Sequence, residues 1–286
     1  MASTDLPRIA ELRGADAQAC VALSAEAGWN QVEADWRFML VAGTGFAARD
    51  AKGAPVGSAL ILSLGPSLAW ISMVLVTVTH RRLGLGTALL ARCLEACEQT
   101  GVLGALDATE LGEPVYRPLG FRDVFALRRW RLGRAITAES GDVSVGISRV
   151  TAADLAAIAA FDRLASGLER AQLLAHLATR GAACVARDAQ GRVLGAAFSR
   201  DGRVATQLGP IVAADAGVAR SLLVALTREL APPFILDVPQ AQTAFSAVLA
   251  AHGAETPRGF MRMTRGEPGA LAQAGSLFAI AGPELG

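Results

Sequence analysis

The chain has 286 residues, a formal net charge of +1 at pH 7 and a hydrophobic fraction of 52%. The near-neutral charge argues against a nucleic acid or an anionic membrane as partner, since both are bound through a surplus of Lys and Arg. The apolar fraction does not indicate membrane spans either, because no apolar run approaches the ~18 residues that a spanning helix needs. At roughly 150 residues per domain, the length favours two domains.

Neither an N-terminal targeting segment nor a metal site is expected. Residues 1–8 contain no apolar block of the kind that a signal peptide or anchor requires. The cysteines form no CxxC pair and no cluster of metal-ligand spacing; they are Cys20, Cys93, Cys97 and Cys184. We therefore expect a reduced, cytoplasmic protein that binds no metal.

An internal repeat organises the chain. Residues 48–53, ARDAKG, recur 138 positions later at 186–191 as ARDAQG, and a Gly and an Ala follow at matching positions. Each copy predicts a β-hairpin, because an apolar stretch ends in charged turn residues around a Gly and a second apolar stretch follows. Coincidence in an alanine-rich composition is the alternative.

The elements around these hairpins also run in parallel. Each half begins with a predicted helix, at 15–27 and at 152–164, in which apolar residues recur at three- and four-residue spacing. Each half then continues with a strand, a helix, a short strand containing Leu-Asp, and a helix leading into a last strand. These elements lie at 68–78, 84–100, 103–108, 113–119 and 121–132 in the first half, and at 204–212, 216–230, 234–238, 242–252 and 259–264 in the second.

The chain is thus predicted as one fold used twice. The Gly-rich polar passage 133–146 is the expected joint. We predict a first domain at 1–134, a second at 147–266, and a C-terminal tail at 267–286 that is rich in Gly, Ala and Pro and packs weakly. The fold class is α+β, with a mixed, mostly antiparallel sheet flanked by helices in each half.

The most informative stretch is 74–87, VLVTVTHRRLGLGT, where a buried strand enters a helix. Gly84 and Gly86 remove side chains at the helix start, so backbone N–H groups and the helix dipole can hold a pyrophosphate. The two arginines before them can add charge-assisted contacts. A dinucleotide-binding oxidoreductase is an alternative, with Asp107 near the expected place of a ribose-binding acid, but the third glycine of its motif would fall at Leu89.

These residues resemble a known family. The segment RRLGLG at 81–86, entered from an apolar strand, is similar to the acyl-CoA-binding motif of the GCN5-related N-acetyltransferases (GNAT). Residues 114–121, PVYRPLGF, resemble that family's second signature, a Tyr four residues before Gly-Phe. The resemblance covers residues 8–132. One departure is Val78, which stands where the family often has a Pro near the end of the motif strand.

The resemblance implies a tandem GNAT fold, acetyl-CoA as cofactor, and a primary amine of a small molecule or protein as acceptor. It assigns the backbone of the motif strand to the acyl and pantetheine arm and the following turn to the pyrophosphate. The implied cofactor-binding residues are Val74, Leu75, Val76, Arg81, Arg82, Leu83, Gly84, Leu85, Gly86 and Thr87. Tyr116, the only Tyr in the chain, would lie beside the sulfur of coenzyme A.

The chemistry suggests further candidates. Tyr116 suits protonation of the departing thiolate, because a phenol has a pKa of about 10 and a simple thiol one of about 8.5; its alternative is a core aromatic. Asp107 is the candidate general base, with a capping or ion-paired acid as the alternative. Trp29, Asn30 and Trp36 are candidates for the acceptor pocket, or else core anchors.

The second half lacks these features. Its helix start reads ADAGVA at 214–219, without arginines, and Asp215 would repel phosphate. Leu249 stands in the place of Tyr116. We therefore expect only the first half to bind acetyl-CoA, while the second is a degenerate lobe that packs on it or shapes the acceptor site. This resembles a bacterial group that pairs an acetyltransferase domain with an acetyltransferase-like one. A non-catalytic acyl-CoA sensor or scaffold is the alternative to an enzyme.

Overall fold

The structure is a computed structural model that describes residues 7–137, 145–272 and 275–286. The chain divides into two compact units, residues 1–106 and 107–286. The boundary falls inside a strand and not at the Gly-rich passage 133–146 that the sequence predicts as the joint. Residues 138–144 of that passage lie outside the described residues.

The first unit is built from one sheet and three helices, joined by short turns. In chain order the elements are β1 Arg8–Leu12, α1 Ala17–Glu26, α2 Glu33–Ala42, β2 Gly43–Arg49, β3 Pro55–Ser63, β4 Leu68–Val76, α3 Leu85–Thr100 and β5 Leu103–Ala108. The sheet order is β1-β2-β3-β4-β5. Neighbouring strands are antiparallel except β4 and β5, which are parallel.

Local sequence explains why β4 and α3 form. All nine residues of β4 except Ser72 are apolar, as expected of a strand whose two faces are both covered. In α3 the buried residues recur at three- and four-residue spacing and form one face; they are Leu85, Leu89, Leu90, Cys93, Leu94 and Cys97. Gly101 ends the helix in the left-handed conformation, with φ of +67°.

The second unit begins within β5 and contains the rest of the chain. Its elements are α4 Glu113–Tyr116, β6 Arg122–Leu132, β7 Gly146–Arg149, α5 Leu155–Ser166, α6 Ala171–Arg180, β8 Ala183–Arg187, β9 Val193–Arg200, β10 Thr206–Ala213, α7 Ala216–Arg228, β11 Phe234–Pro239, α8 Thr243–Ala251, β12 Glu255–Arg265 and β13 Leu277–Ala279. The strand order is β12-β6-β11-β10-β9-β8-β7, and β13 pairs with β10.

The internal repeat is visible in the strand orders of the two units. Strands β7 to β11 follow each other in the sheet as β1 to β5 do, and β10 is parallel to β11 as β4 is to β5. The two predicted hairpins are confirmed as β2–β3 and β8–β9. The predicted fold class, a mixed and mostly antiparallel sheet flanked by helices in each half, is also confirmed.

The last strands of the two halves pair with each other. Strand β6 ends the first half in sequence, yet its residues 127–132 pair antiparallel with the whole of β11 of the second half, and β12 pairs on its other side. This pairing explains why residues 107–132 are grouped with the second unit. The first half therefore contributes a strand to the sheet of the second.

The prediction that the C-terminal tail packs weakly is wrong. Residues 277–281 are buried, each with 2% or less of its surface exposed, and Leu285 is 2% exposed. Strand β13 pairs with β10, and the Ile280 N–H donates to the Asp237 carbonyl at 3.0 Å. The prediction rested on the high content of Gly, Ala and Pro in the tail. The apolar run LFAIA at 277–281 is too short to change that composition, yet it is the part that packs.

Candidate active site

Strand β4 parts from β5 ahead of the residues that the sequence assigns to the acyl arm, and it stays paired with β3. Its pairing with β5 is confined to residues 68–70. After Ser72 the register with β3 shifts, and Met73 has a positive φ of 54°. Such a bulge leaves a residue unpaired and bends the strand. The Ser58 hydroxyl donates to the Met73 carbonyl at 2.7 Å and holds the bulge. Residues 74–76 therefore lie on an edge of β4 that β5 does not cover.

A tight turn carries the chain from β4 into α3. A 3-10 turn at Val78–His80 is followed by Arg82 and Gly84, both with positive φ, of 63° and 74°. Gly84 is the N-cap of α3 and has no side-chain oxygen to accept from the first-turn amides. The N–H groups of residues 85–87 therefore have no intrahelical partner and lie at the positive end of the helix dipole.

Two guanidinium groups add positive charge to this turn. Arg81 and Arg82 are both exposed. The Arg81 Nε donates to the Val76 carbonyl at 3.1 Å, which holds its side chain beside the end of β4. Arg82 has no ion pair within the described residues. His80 is tied into the turn, with Nδ1 at 3.1 and 2.9 Å from the hydroxyls of Thr77 and Thr79. Residues 81–87 thus bring two guanidinium groups and the first-turn amides of α3 together in one turn.

The matching helix start in the second half is already occupied. Asp215 is the N-cap of α7, and its carboxylate accepts from the Val218 N–H at 2.9 Å. The side chain takes up one of the amide donors that a phosphate would need and adds a negative charge of its own. The two halves therefore offer opposite electrostatic environments at equivalent positions.

In the second half the space where β10 and β11 diverge is also filled, by the chain's own C-terminal segment. Strands β10 and β11 pair only at Thr206 and Gln207. Beyond that point β13 lies along β10, with Ala279 opposite Ile211. Gly209 leaves room for this segment, because a Cβ there would overlap the Ile280 carbonyl. In the first half the edge equivalent to that of β10 is formed by residues 74–76 of β4.

Asp107 lies in a buried ion pair with the other half of the repeat. The Arg262 guanidinium donates from Nε and Nη2 to its two carboxylate oxygens, each at 2.9 Å, and neither side chain is exposed. Arg129 binds Asp237 in the same way, at 2.7 and 2.8 Å. Each aspartate thus meets an arginine from the last strand of the opposite half. The pairs are reciprocal and cross-link the two repeats.

This geometry favours the ion-paired alternative for Asp107 over a general base. Burial raises the pKa of Asp107, and the Arg262 guanidinium opposes that rise. Both carboxylate oxygens are engaged by Arg262, and the side chain has no exposed surface through which it could take a proton from a bound amine. We therefore leave Asp107 out of the proton-transfer chemistry.

Tyr116 ends α4, a single helical turn after β5. Its ring lies over Gly112, where a Cβ would come within 2.8 Å of the ring carbon Cε2. The Phe121 ring is tilted against it, with centroids 5.8 Å apart. Tyr116 is half-buried. A small residue at position 112 is therefore required by the place that the Tyr116 ring takes.

The acceptor candidates separate into different environments. Trp36 on α2 is fully buried and its Nε1 donates to the Ser24 hydroxyl at 3.2 Å. It is a core anchor, so its assignment to the acceptor pocket is corrected. Asn30 is 2% exposed, whereas Trp29 is half-buried in the connection between α1 and α2.

Sequence reasoning missed three polar side chains of the first unit. Glu26 ends α1 and accepts from the Val78 N–H at 2.5 Å, so it helps to fix the turn before α3. Gln31 and Ser72 are 5% and 8% exposed, and their Oε1 and Oγ atoms have no hydrogen-bond partner within the described part of the chain. No local motif marks these residues, because Glu26 meets a residue 52 positions away in the chain and Gln31 and Ser72 stand out only by their burial.

Other classes of site find no support in the described residues. These contain no cluster of three or more metal-ligating side chains and no helix long and apolar enough to cross a membrane. The cysteines are free and buried. Burial raises the pKa of Cys20 and of Cys184 to about 12, so neither is a thiolate at neutral pH.

Family models match both halves. The model described as "Acetyltransferase (GNAT) family" matches residues 10–121, and the one described as "Acetyltransferase (GNAT) domain" matches residues 158–279. The chain belongs to the GNAT family. The two matches confirm the tandem form, with one GNAT module in each half.

Known proteins agree with this assignment. The chain is 25% identical over 223 residues to an uncharacterized N-acetyltransferase, YitH, of Bacillus subtilis (strain 168), covering 77% of this chain and 78% of that one. A candidate acetyltransferase from Pyrococcus horikoshii has a similar structure, with a TM-score of 0.82 at 20% identity over 100% of this chain and 98% of that one. A tandem GNAT protein from the clavulanic acid biosynthesis pathway gives 0.65 at 16% identity, over 92% and 99%. These structures share the fold.

Proposed function

We propose that the chain is an N-acetyltransferase that moves an acetyl group from acetyl-CoA to a primary amine of a small molecule or protein, with its cofactor site in the first half. The observation that carries the proposal is the uncapped start of α3, which follows directly on the open edge of β4. In the second half the corresponding features are capped and filled by the chain itself.

The residues of the first unit fit acetyl-CoA. The amides of residues 85–87 and the guanidinium groups of Arg81 and Arg82 suit a diphosphate, which carries the negative charge that a helix N-terminus favours. The uncovered edge of β4 offers main-chain N–H and C=O groups to an extended arm that ends in a thioester. The family resemblance assigns that arm to residues 74–76. Acetyl-CoA supplies the activated acetyl group.

Tyr116 is the proposed proton donor to the departing thiolate. A phenol has a pKa of about 10, so at neutral pH it carries the proton that the departing thiolate takes up. The contacts of its ring with Gly112 and with Phe121 limit the positions that its hydroxyl can take. Asp107 holds Arg262 and takes no proton in this scheme.

A pair of equivalent glycines gives a matched test. Gly86 and Gly217 are each the second residue of their helix, in α3 and α7. An aspartate near a helix N-terminus favours the helix, so both substitutions should leave the chain folded. Gly86→Asp would place a carboxylate in the proposed diphosphate cradle, whereas Gly217→Asp would add one to a site that Asp215 already occupies.

The measurement is thermal stabilisation by acetyl-CoA, coenzyme A and NAD. A ligand at 100 times its dissociation constant stabilises by about 2.7 kcal/mol, which should raise the melting temperature by about 5 °C or more. We expect this shift with both coenzyme A species in the wild type and in Gly217→Asp, and its loss in Gly86→Asp. Release of free thiol in the presence of amines then reports the transfer. A shift with NAD alone would overturn the proposal.

A further inference from the structure

A cavity in the second unit lies outside the site described above. It has a volume of about 360 Å³ and opens between the sheet edge formed by β7 and β8 and the C-terminal part of α7. Small-molecule sites typically have volumes of about 300–1,000 Å³, so the cavity is large enough for a small ligand. Its described lining residues all lie between 147 and 229, and the second half therefore forms it alone.

The internal repeat explains why this cavity is open. Cys184 lies 138 positions after Phe46, at the equivalent place in the sheet. In the first half the buried Phe46 ring occupies the space between strand and helix, with the guanidinium carbon of Arg92 on α3 lying 5.5 Å from its centroid. The smaller Cys184 side chain leaves the corresponding space under α7 unfilled. The cavity thus follows from one large-to-small difference between the two halves.

The inner lining of the cavity is apolar and uncharged. Ile147, Val224 and Ala225 contribute to it together with Cys184. Burial and the nearby Glu229 raise the pKa of Cys184 to about 12, so its thiol is protonated at neutral pH. Such a surface favours an apolar group over a charged one.

The mouth of the cavity carries two guanidinium groups and one carboxylate. Arg149 stands opposite Cys184 at the sheet edge and pairs with Glu229 at 2.6 Å, with side chains 78% and 43% exposed. An exposed pair of this kind contributes little to stability, so Arg149 can turn to a ligand at small cost. Arg228 also lines the cavity, is exposed, and has no ion pair within the described part of the chain.

These groups leave a positive surplus at the mouth. Arg149 and Glu229 cancel, so the charge of Arg228 remains. The C-terminus of α7, which ends at Arg228, carries about half a negative charge and offsets only part of it. The residue equivalent to Arg149 in the first half is Glu11, opposite Phe46, so the two edges differ in the sign of their charge. The mouth therefore favours an anion.

We propose that this cavity binds a small carboxylate with an apolar body, such as a short fatty acid or an aromatic acid. The apolar body lies against the inner lining, and the carboxylate accepts hydrogen bonds from Arg228 and Arg149. A carboxylate has two oxygens that match the fork of a guanidinium group, and a single negative charge suits the small surplus at the mouth. The second half would thus bind a ligand of its own, independently of the acetyl-CoA site proposed for the first.

Binding of matched probes tests the proposal. Benzoate, benzamide and benzylamine share one ring and differ in charge, whereas acetate has the charge of benzoate without the apolar body. Titration of the full chain followed by NMR should give a Kd of about 1 mM for benzoate and at least about 10-fold weaker binding of the other three. Equal or tighter binding of benzamide or benzylamine would overturn the proposal, and so would the absence of benzoate binding.

An arginine pair tests the role of the mouth. Arg228→Gln should weaken benzoate binding about 10-fold and leave benzamide binding unchanged. The control is Arg163→Gln, an exposed position on α5 that is not among the described residues lining the cavity. It removes the same charge and should leave the binding of both probes unchanged. If the two variants bind benzoate equally, Arg228 does not hold the carboxylate and the proposal is refuted.

Filling the cavity locates the apolar body. Cys184→Phe introduces the residue of the first half and should abolish benzoate binding. If that variant does not fold, Ala225→Leu blocks the same space from a half-buried position on α7. Undiminished benzoate binding in a folded variant of this kind would contradict the proposal.

Gly86→Asp separates this site from the proposed function. The variant should lose acetyl-CoA binding and bind benzoate as the wild type does, because Gly86 belongs to the first half. Loss of benzoate binding in Gly86→Asp would place the carboxylate at the turn before α3 and refute the cavity. If benzoate binding follows the expectations above but no acetyl-CoA binds, the cavity stands and the proposed function fails.

Discussion

Replacing Arg262 by Met would leave the Asp107 carboxylate buried without its partner. Two contacts of 2.9 Å are lost, and neither side chain is exposed. Breaking a buried ion pair in this way costs about 3–5 kcal/mol. At about 2–4 °C per kcal/mol for a chain of this size, the melting temperature should fall by about 6–20 °C, measured by circular dichroism or calorimetry.

The loss of stability in Arg262→Met should depend on pH in a defined direction. Burial raises the pKa of Asp107, and in Arg262→Met the opposing guanidinium is gone. A carboxyl whose pKa is higher in the folded than in the unfolded chain destabilises above its unfolded value and has no effect well below it. The melting temperature of the variant should therefore approach that of the wild type as the pH falls below about 4, the ordinary pKa of Asp.

Two controls complete the experiment. The double variant Asp107→Leu, Arg262→Met contains no unpaired charge and should recover most of the lost stability. Arg37→Met breaks an exposed pair with Glu33, whose side chains are 62% and 44% exposed, and should cost less than about 1 kcal/mol. A cost as small in Arg262→Met would refute the buried ion pair.

The same double variant separates two roles of Asp107. If Asp107 only holds Arg262, thiol release by the stable double variant should stay within a few-fold of the wild type. A stable protein that binds acetyl-CoA but has lost turnover would instead make Asp107 the general base.

Three further substitutions test the proposed site and the groove. Tyr116→Phe should lower kcat by about 10²- to 10⁴-fold and leave acetyl-CoA binding intact, and equal loss of both would make Tyr116 structural. Gly112→Ala should displace the Tyr116 ring and lower kcat, whereas Gly133→Ala, where a Cβ meets nothing within 4 Å, should not. Gly209→Ala should push the Ile280 carbonyl out of its groove and cost about 1–3 kcal/mol in a thermal melt, and an unchanged melt would refute the close packing there.

The parts of the site that sequence could predict are local. Strand β4, the start of α3 and the two exposed arginines between them follow from an apolar run, two glycines and two arginines within one short stretch. The proposed role of Tyr116 rests on its spacing before a Gly-Phe pair. In each case the residues that must meet are close in the chain, so pattern and spacing are enough to place them.

The parts that sequence could not predict depend on distant partners. Asp107 and Arg262 are 155 residues apart, and they meet because the last strands of the two halves pair side by side. The tail is buried because a groove exists only after β10 and β11 have diverged. Trp36 is a candidate for a pocket, or else a core anchor, because it lies within eight residues of Trp29, and closeness in the chain does not separate a core tryptophan from a lining one.

The number of acetyl-CoA molecules bound per chain tests the central claim most directly. Isothermal titration of the full chain should give one site, abolished by Gly86→Asp and retained in Gly217→Asp, because only the first half has an uncapped helix start and an open strand edge. Two sites, or one site that survives Gly86→Asp and disappears in Gly217→Asp, would contradict the assignment of the cofactor to the first half.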